Sequence, residues 1–236
     1  KAQHINNAIF FDIDKFSNQK TDLPHMLPEK EEWEKIISNL GISNEDKIII
    51  YDNSDVISSC RCWYSFIFFG HKPNLISVLD GGLFKWKKEN RKITNKISNH
   101  GKTNYKAKKI SELVKTKEEI DKNILKKKFQ VVDARSKNRF LGLEKEPRPN
   151  VMSGSIKNSS CLPFSELINP EDKTFIEKNL IKKKFKNIGV NNETNVVFSC
   201  GSGITAAVLG LAYHIINDRY LPAIYDGSWA EYGKLK

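Results

Sequence analysis

Cysteine is scarce in this chain of 236 residues, with four in all, at positions 60, 62, 161 and 200. So few in so long a chain exclude a disulfide framework. Cys60 and Cys62 stand one residue apart rather than two, which excludes both a thioredoxin-type C-x-x-C and a zinc knuckle; they are expected on or beside a helix as small apolar residues. Long apolar runs are missing too. None approaches the ~20 residues that span a bilayer, so no membrane partner is expected, and no signal-peptide pattern stands at the start. The start itself, Lys1-Ala2-Gln3-His4-Ile5, reads like the middle of a domain. Acid is in deficit: 28 acidic against 39 basic residues leave a net charge of +11. The lysines are scattered, with short runs at Lys126–Lys128 and Lys182–Lys184, and no aromatics interleave with them in a strand-stacking pattern. Nucleic acid is therefore not an expected partner, and a composition rich in Lys, Asn and Ile accounts for the excess charge. The positive field would still gather small anionic substrates. The chain is long enough for one large domain or two of about 110 residues, each with its own core.

What is present is concentrated in Val196-Val197-Phe198-Ser199-Cys200-Gly201-Ser202-Gly203-Ile204-Thr205-Ala206-Ala207. An apolar, β-branched run ends in a cysteine; two glycines around a serine follow; then an apolar stretch predicts a helix over Thr205 to Ile216. A strand passing through a tight loop into a helix sets Cys200 above backbone N–H groups and the positive end of the helix. Both favour thiolate over thiol, and the thiolate is the nucleophile. The local pattern alone leaves a buried structural cysteine equally open.

Three pieces recur in order after roughly 150 residues. Ile5-Asn6-Asn7-Ala8 resembles Ile156-Lys157-Asn158-Ser159. Lys47-Ile48-Ile49-Ile50-Tyr51-Asp52 resembles Asn195-Val196-Val197-Phe198-Ser199-Cys200. Leu79-Asp80-Gly81-Gly82 with Trp86 resembles Tyr225-Asp226-Gly227-Ser228 with Tyr232. The chain thus reads as an α/β duplication in which short apolar strands alternate with helices, such as Glu31–Leu40 and one from Ser165–Leu167 onward, giving mostly parallel sheets flanked by helices. Active loops in such sheets lie beyond the carboxyl ends of strands. Asp52 occupies the first-copy position of Cys200, and a carboxylate cannot accept sulfur. The expected division is 1–98 as a non-catalytic first unit, 99–109 as a polar linker and 110–236 as the catalytic unit.

The cysteine segment, C-G-S-G-I-T-A, resembles the active-site loop of the 3-mercaptopyruvate branch of the two-domain rhodanese-like sulfurtransferases, which reads Cys-Gly-Ser-Gly-Val-Thr-Ala; only Ile204 differs. Thiosulfate-using members carry a more basic loop, and related phosphatases need an arginine where this chain has Ala206. Other segments extend the resemblance from His4 to Tyr232. Asn138-Arg139-Phe140 and Glu146-Pro147-Arg148 are similar to the family's G-R-F and E-P-R, nine positions apart, whose arginines hold the substrate carboxylate and carbonyl. From the residues alone, two loop arginines are more often solvated than functional. Arg135 is similar to an arginine that ties down loop structure. Phe10-Phe11-Asp12-Ile13-Asp14 and His25-Met26-Leu27-Pro28 resemble F-F-D-I-D and H-M-L-P; the resemblance implies that Asp14 and His25 pair with Ser202, with Asp12 ranked below Asp14. Without it, Asp14 would read as a turn cap and His25 as a surface residue.

The resemblance implies two tandem rhodanese-like domains, the first lacking its usual N-terminal segment. It also implies transfer of sulfur from 3-mercaptopyruvate through a Cys200 persulfide to thioredoxin, a small thiol or cyanide. Cys200, Ser202, His25 and Asp14 would be catalytic, and Arg139, Arg148, Gly201, Gly203, Ile204 and Thr205 would hold substrate. No metal or organic cofactor is called for. A thiosulfate sulfurtransferase and a non-catalytic binding module are the alternatives. Few cysteines and one thiolate point to a reducing compartment, the cytoplasm or, in a eukaryote, the mitochondrion. The chain departs from the pattern at Gly154-Ser155-Ile156-Lys157-Asn158, where the family reads Gly-His-Ile-Pro-Gly. Gly81-Gly82-Leu83-Phe84-Lys85-Trp86 and Gly227-Ser228-Trp229-Ala230-Glu231-Tyr232 also match family segments and read as structural turns.

Overall fold

A computed structural model describes residues 3–217 and 221–235. In chain order the first half carries α1 (Lys30–Asn39), β1 (Ile48–Ile50), α2 (Ser59–Phe68), β2 (Ile76–Val78) and α3 (Gly82–Lys88). The second carries β3 (Val114–Lys115), α4 (Lys117–Lys126), β4 (Gln130–Asp133), α5 (Lys137–Phe140), β5 (Ser160–Cys161), α6 (Lys178–Asn187), β6 (Val196–Ser199), α7 (Ala206–Ile216), β7 (Ala223–Tyr225) and α8 (Ser228–Tyr232). Strands β1 and β2 form a parallel pair. The second sheet is parallel throughout, in the order β3-β7-β6-β4-β5. β6 is its central strand and is buried along its whole length, as its unbroken apolar run requires. Cys200 leaves the carboxyl end of that strand.

The helix expected over Glu31–Leu40 is α1, which turns Trp33 and Ile37 inward at i, i+4 spacing. The helix expected from Ser165 onward is not formed. Phe164–Leu167 makes a single 3₁₀ turn, the backbone then returns on itself in the Ile168–Phe175 bridge, and the helix starts only at Lys178. Pro170 explains the break, since it can neither donate to a helix nor let its predecessor adopt helical angles.

Helices α2 and α7 each follow the loop that bears Asp52 or Cys200, and each is apolar on nearly all sides. All ten residues of α2 are buried. A helix of that kind needs cover all round. The two pack on each other within one continuous core that joins both halves of the chain. The Tyr64 hydroxyl, from α2, donates to the carbonyls of Leu113 and Pro222 in the second half. Cys60 and Cys62 lie inside α2, as small apolar residues do. The stretch expected as a polar linker is fastened down at its far end: Thr103 N–H donates to Ser38, Lys108 N–H to Phe69 and Ile110 N–H to Phe68, and Tyr105 is buried. Among the described residues no helix is long and apolar enough to cross a membrane.

Candidate active site

The two halves use one backbone device at the sites of Asp52 and Cys200. Leu83 N–H donates to the Asp52 carbonyl, and Trp229 N–H donates to the Cys200 carbonyl, both at 2.9 Å. The residues before those donors, Gly82 and Ser228, both sit in left-handed backbone at φ 51° and 50°. In the first half that position is glycine, the residue such angles favour. In the second it is serine, whose Oγ accepts the N–H groups of Cys200 (3.2 Å) and Gly203 (3.1 Å) and donates to the Tyr225 carbonyl (2.8 Å). Ser228 therefore fixes the cysteine loop. In the sequence it reads as part of a structural turn, and its signal is a serine where the first copy has Gly82. Among the backbone N–H groups expected beneath Cys200, that of Gly203 is directed at Ser228 instead. Ser228→Gly keeps a residue suited to this backbone and removes the hydroxymethyl group. Two buried amides then lose their acceptor, so urea denaturation should register a loss of roughly 1–3 kcal/mol; unchanged stability would mean that the hydroxyl does not hold the loop.

Cys200 is 2% exposed and follows the buried strand directly. Over the next residue lie both predicted arginines. A Cβ placed on Gly201 would meet Arg139 Nη2 at 3.2 Å and Arg148 Nη1 at 3.4 Å, so the absence of a side chain at 201 leaves room for two guanidinium groups. Arg148 Nη2 also donates to Ser202 Oγ at 3.2 Å. Ile204 is buried, and Thr205 stands just before α7, without a side-chain capping bond; the helix begins one residue later than expected.

Ser202 in turn meets His25, brought from the first half. His25 Nδ1 lies 2.9 Å from Ser202 Oγ, and His25 Nε2 lies 2.9 Å from Asp14 Oδ1. An ionised carboxylate only accepts. Nε2 therefore carries a proton, and in the neutral ring Nδ1 accepts from the Ser202 hydroxyl, which is free to donate because Arg148 donates to it. Burial pulls the His25 pKa down from 6.5, Asp14 pushes it up, and the Arg148 and Arg61 guanidinium groups push it down; the net shift is downward. Asp12 stands apart and caps its own turn, accepting from Lys15 N–H.

Arg139 is held by a charge chain that the sequence did not reveal. Arg135 is buried, grips Asp133 through Nε and Nη2, donates to the Gly154 carbonyl and lies 4.6 Å over the Trp229 ring. Its Nη1 donates to Glu146 Oε1 at 2.7 Å, and Glu146 receives Arg139 Nε at 3.1 Å and Arg139 Nη2. Burial alone would push the Glu146 carboxyl up; the hydrogen bonds and charge of Arg139 and Arg135 outweigh it and hold the group below its ordinary value. In the sequence Glu146 is the acid of the E-P-R segment, and its place between Arg139 and Arg148 is the available signal.

A second cleft lies elsewhere, over the first-half loop, an open space of about 490 Å³ edged by Asp52, Asp80 and Lys173. Its Asp52 carboxylate is taken up by the hydroxyls of Ser54, Ser58 and Ser59. It holds no cysteine, and among the described residues no group of three or more His, Cys, Asp or Glu is placed to hold a metal ion.

The fold is a parallel sheet with a cysteine loop at the end of its central strand; the rhodanese-like domain family matches residues 1–89 and 116–235, and the chain belongs to the two-domain rhodanese-like sulfurtransferases. Within that family its relatives are of the 3-mercaptopyruvate/thiosulfate type. It is 34% identical to the mitochondrial thiosulfate/3-mercaptopyruvate sulfurtransferase 1 of Arabidopsis thaliana over 98% of this chain, and spans 66% of that relative's length. It is 35% identical to human 3-mercaptopyruvate sulfurtransferase over 98% of this chain and 77% of the human one. The crystal structure of SseA from Escherichia coli, a 3-mercaptopyruvate sulfotransferase, superposes with a TM-score of 0.85 at 29% identity, covering 96% of this chain and 83% of that one.

Proposed function

We propose that this chain moves the sulfur of 3-mercaptopyruvate through a Cys200 persulfide to a thiol or cyanide acceptor and releases pyruvate. The observation that carries the reading is the convergence on one loop of a cysteine, two guanidinium groups beside Gly201 and a Ser202–His25–Asp14 chain. The Cys200 thiolate attacks the substrate sulfur, an S–S bond forms, and the C–S bond breaks with its electrons passing to carbon as the enolate of pyruvate. The substrate's thiol proton passes to that carbon by way of Ser202 and His25, leaving pyruvate and an ionised Cys200 persulfide. Arg139 and Arg148 bind the carboxylate and ketone oxygens; a guanidinium fork suits that planar pair better than an ammonium would. Gly201 supplies the clearance, and Gly203, Ile204 and Thr205 shape the loop around the new sulfur. An acceptor (thioredoxin, a small thiol or cyanide) then removes the outer sulfur. The first unit, 1–98, is non-catalytic because Asp52 stands at the cysteine position; 99–109 links it to the catalytic unit, 110–236. All four cysteines are free thiols, which suits a reducing compartment, cytoplasmic or mitochondrial.

Intact-mass spectrometry after addition of 3-mercaptopyruvate tests the chemistry: one added sulfur, removed by dithiothreitol, is expected. No mass gain with either 3-mercaptopyruvate or thiosulfate would leave a binding module. A kcat/KM for thiosulfate above that for 3-mercaptopyruvate would transfer the assignment to a thiosulfate sulfurtransferase. The neutral Gly201–Gly203 loop argues for the keto acid as donor.

The relay needs neutral imidazole, so His25 sets an acid limb. Its pKa is held below 6.5, and kcat should stay level as pH falls past 6.5 and drop only through the lower value. Asp14 raises that pKa, so Asp14→Asn should move the limb to still lower pH. A limb moving to higher pH in that variant would contradict the arrangement.

A further inference from the structure

We infer that Arg61, on α2 of the first unit, is a positioning residue that holds His25 against Ser202. The guanidinium is buried, at 2% exposure, in the middle of the molecule. Its Nη2 donates to the His25 carbonyl at 2.7 Å and to Asp226 Oδ1 at 2.6 Å. The other Asp226 oxygen accepts Leu27 N–H at 2.9 Å. One ion pair thereby grips the His25–Leu27 backbone from both ends. The grip matters because His25 sits at φ 60°, in left-handed backbone that a residue with a side chain keeps only where its surroundings enforce it. The imidazole reaches both Asp14 and Ser202 from that backbone, so whatever fixes the backbone fixes the relay.

The same guanidinium meets the cysteine loop. A Cβ on Gly203 would lie 3.1 Å from Arg61 Nη1 and 3.2 Å from the Asp226 carbonyl oxygen. The turn that carries Ser202 thus closes directly onto Arg61, and Nη1 faces it with no hydrogen-bond partner among the described residues. Arg61 touches both sides of the His25–Ser202 contact, the histidine through its carbonyl and the serine through the neighbouring bare glycine. Helix α2 is the first-unit counterpart of the helix that follows Cys200. The inert copy is in this way built into the chemistry of the active one.

This assignment rests on the proton relay of the proposed reaction. Its test is a double-mutant cycle, because removing Arg61 alone would strand the buried Asp226 carboxylate. Arg61→Met combined with Asp226→Asn removes both charges. With 3-mercaptopyruvate, kcat should fall by about tenfold while KM stays within about twofold, since Arg139 and Arg148 are untouched. Adding His25→Gln should lower kcat no further than His25→Gln does alone, because both changes disable one relay. If the pair does not fold, Arg61→Lys, which keeps a cation beside Asp226, enters the same cycle. Losses that multiply, or a full kcat in the Arg61 protein, would overturn the assignment. A His25→Gln protein with full kcat would sink the relay itself, and wild-type protein that takes up no sulfur would sink the reaction, so the failures are told apart.

Discussion

Cys200→Ser should give a folded protein that takes up no sulfur from 3-mercaptopyruvate and has lost turnover by on the order of 10³-fold or more. Serine fits the space left by the thiol, and the backbone contacts that hold position 200, to Ser228 and Trp229, do not use its side chain. Folding is therefore spared. The chemistry is not, since an unactivated hydroxyl is a poor nucleophile towards sulfur at neutral pH and an alkoxide would have no route to a persulfide. No other cysteine can take over. Cys60 and Cys62 are buried inside α2, and burial pushes both thiols well up. Cys161 is half-buried; burial, followed by the Asp133 carboxylate, pushes it up to about 12. At neutral pH all three are thiols, whereas only thiolate attacks. Mass spectrometry of the substrate-treated variant reads the outcome directly. A retained gain of one sulfur would place the nucleophile elsewhere and end the reading.

The parts of this site that are contiguous in sequence were legible there. The strand–loop–helix pattern around Cys200 placed the cysteine at a sheet's carboxyl edge, and the structure puts it after the central strand. The duplication was legible for the same reason, since a repeated fold repeats its strands and turns. Asp14, His25 and Ser202 are different. The histidine and serine lie 177 positions apart, and no periodicity connects them; only the family resemblance pointed to the set. No role in the site attaches to Glu146, Ser228 or Arg61 in the sequence. Each is defined by what it touches after folding: Glu146 by two guanidinium groups, Ser228 by two amides, Arg61 by a carbonyl and a bare glycine. An arginine inside an otherwise apolar helix, Ser59–Phe68, was the visible anomaly, because a charge is not buried without a partner. The expectation of a helix from Ser165 failed through giving apolar spacing more weight than Pro170.

Glu146→Gln should be the most damaging change outside the cysteine loop. The Glu146 side chain is 2% exposed, and the Arg135 side chain that it pairs with is 1% exposed. Removing one partner of a buried pair leaves the other uncompensated and costs about 3–5 kcal/mol; Asp133 still grips Arg135, so the lower end of that range is expected, measured by urea denaturation. The amide can accept from one arginine but cannot balance the charge of two. Arg139 is also released from its place over Gly201, so KM for 3-mercaptopyruvate should rise in the protein that remains folded. The pH dependence separates charge from shape. The folded-state carboxyl is held below its ordinary value, so its stabilisation is fully present above the unfolded carboxyl pKa of about 4.3 and disappears as pH falls through the folded value. The wild type should accordingly lose its advantage over Glu146→Gln as the solution is acidified, and the two stability curves should converge at low pH. A stability difference that is the same at pH 7 and in acid would mean that the variant fails through packing, and the charge chain from Asp133 to Arg139 would not be what holds Arg139.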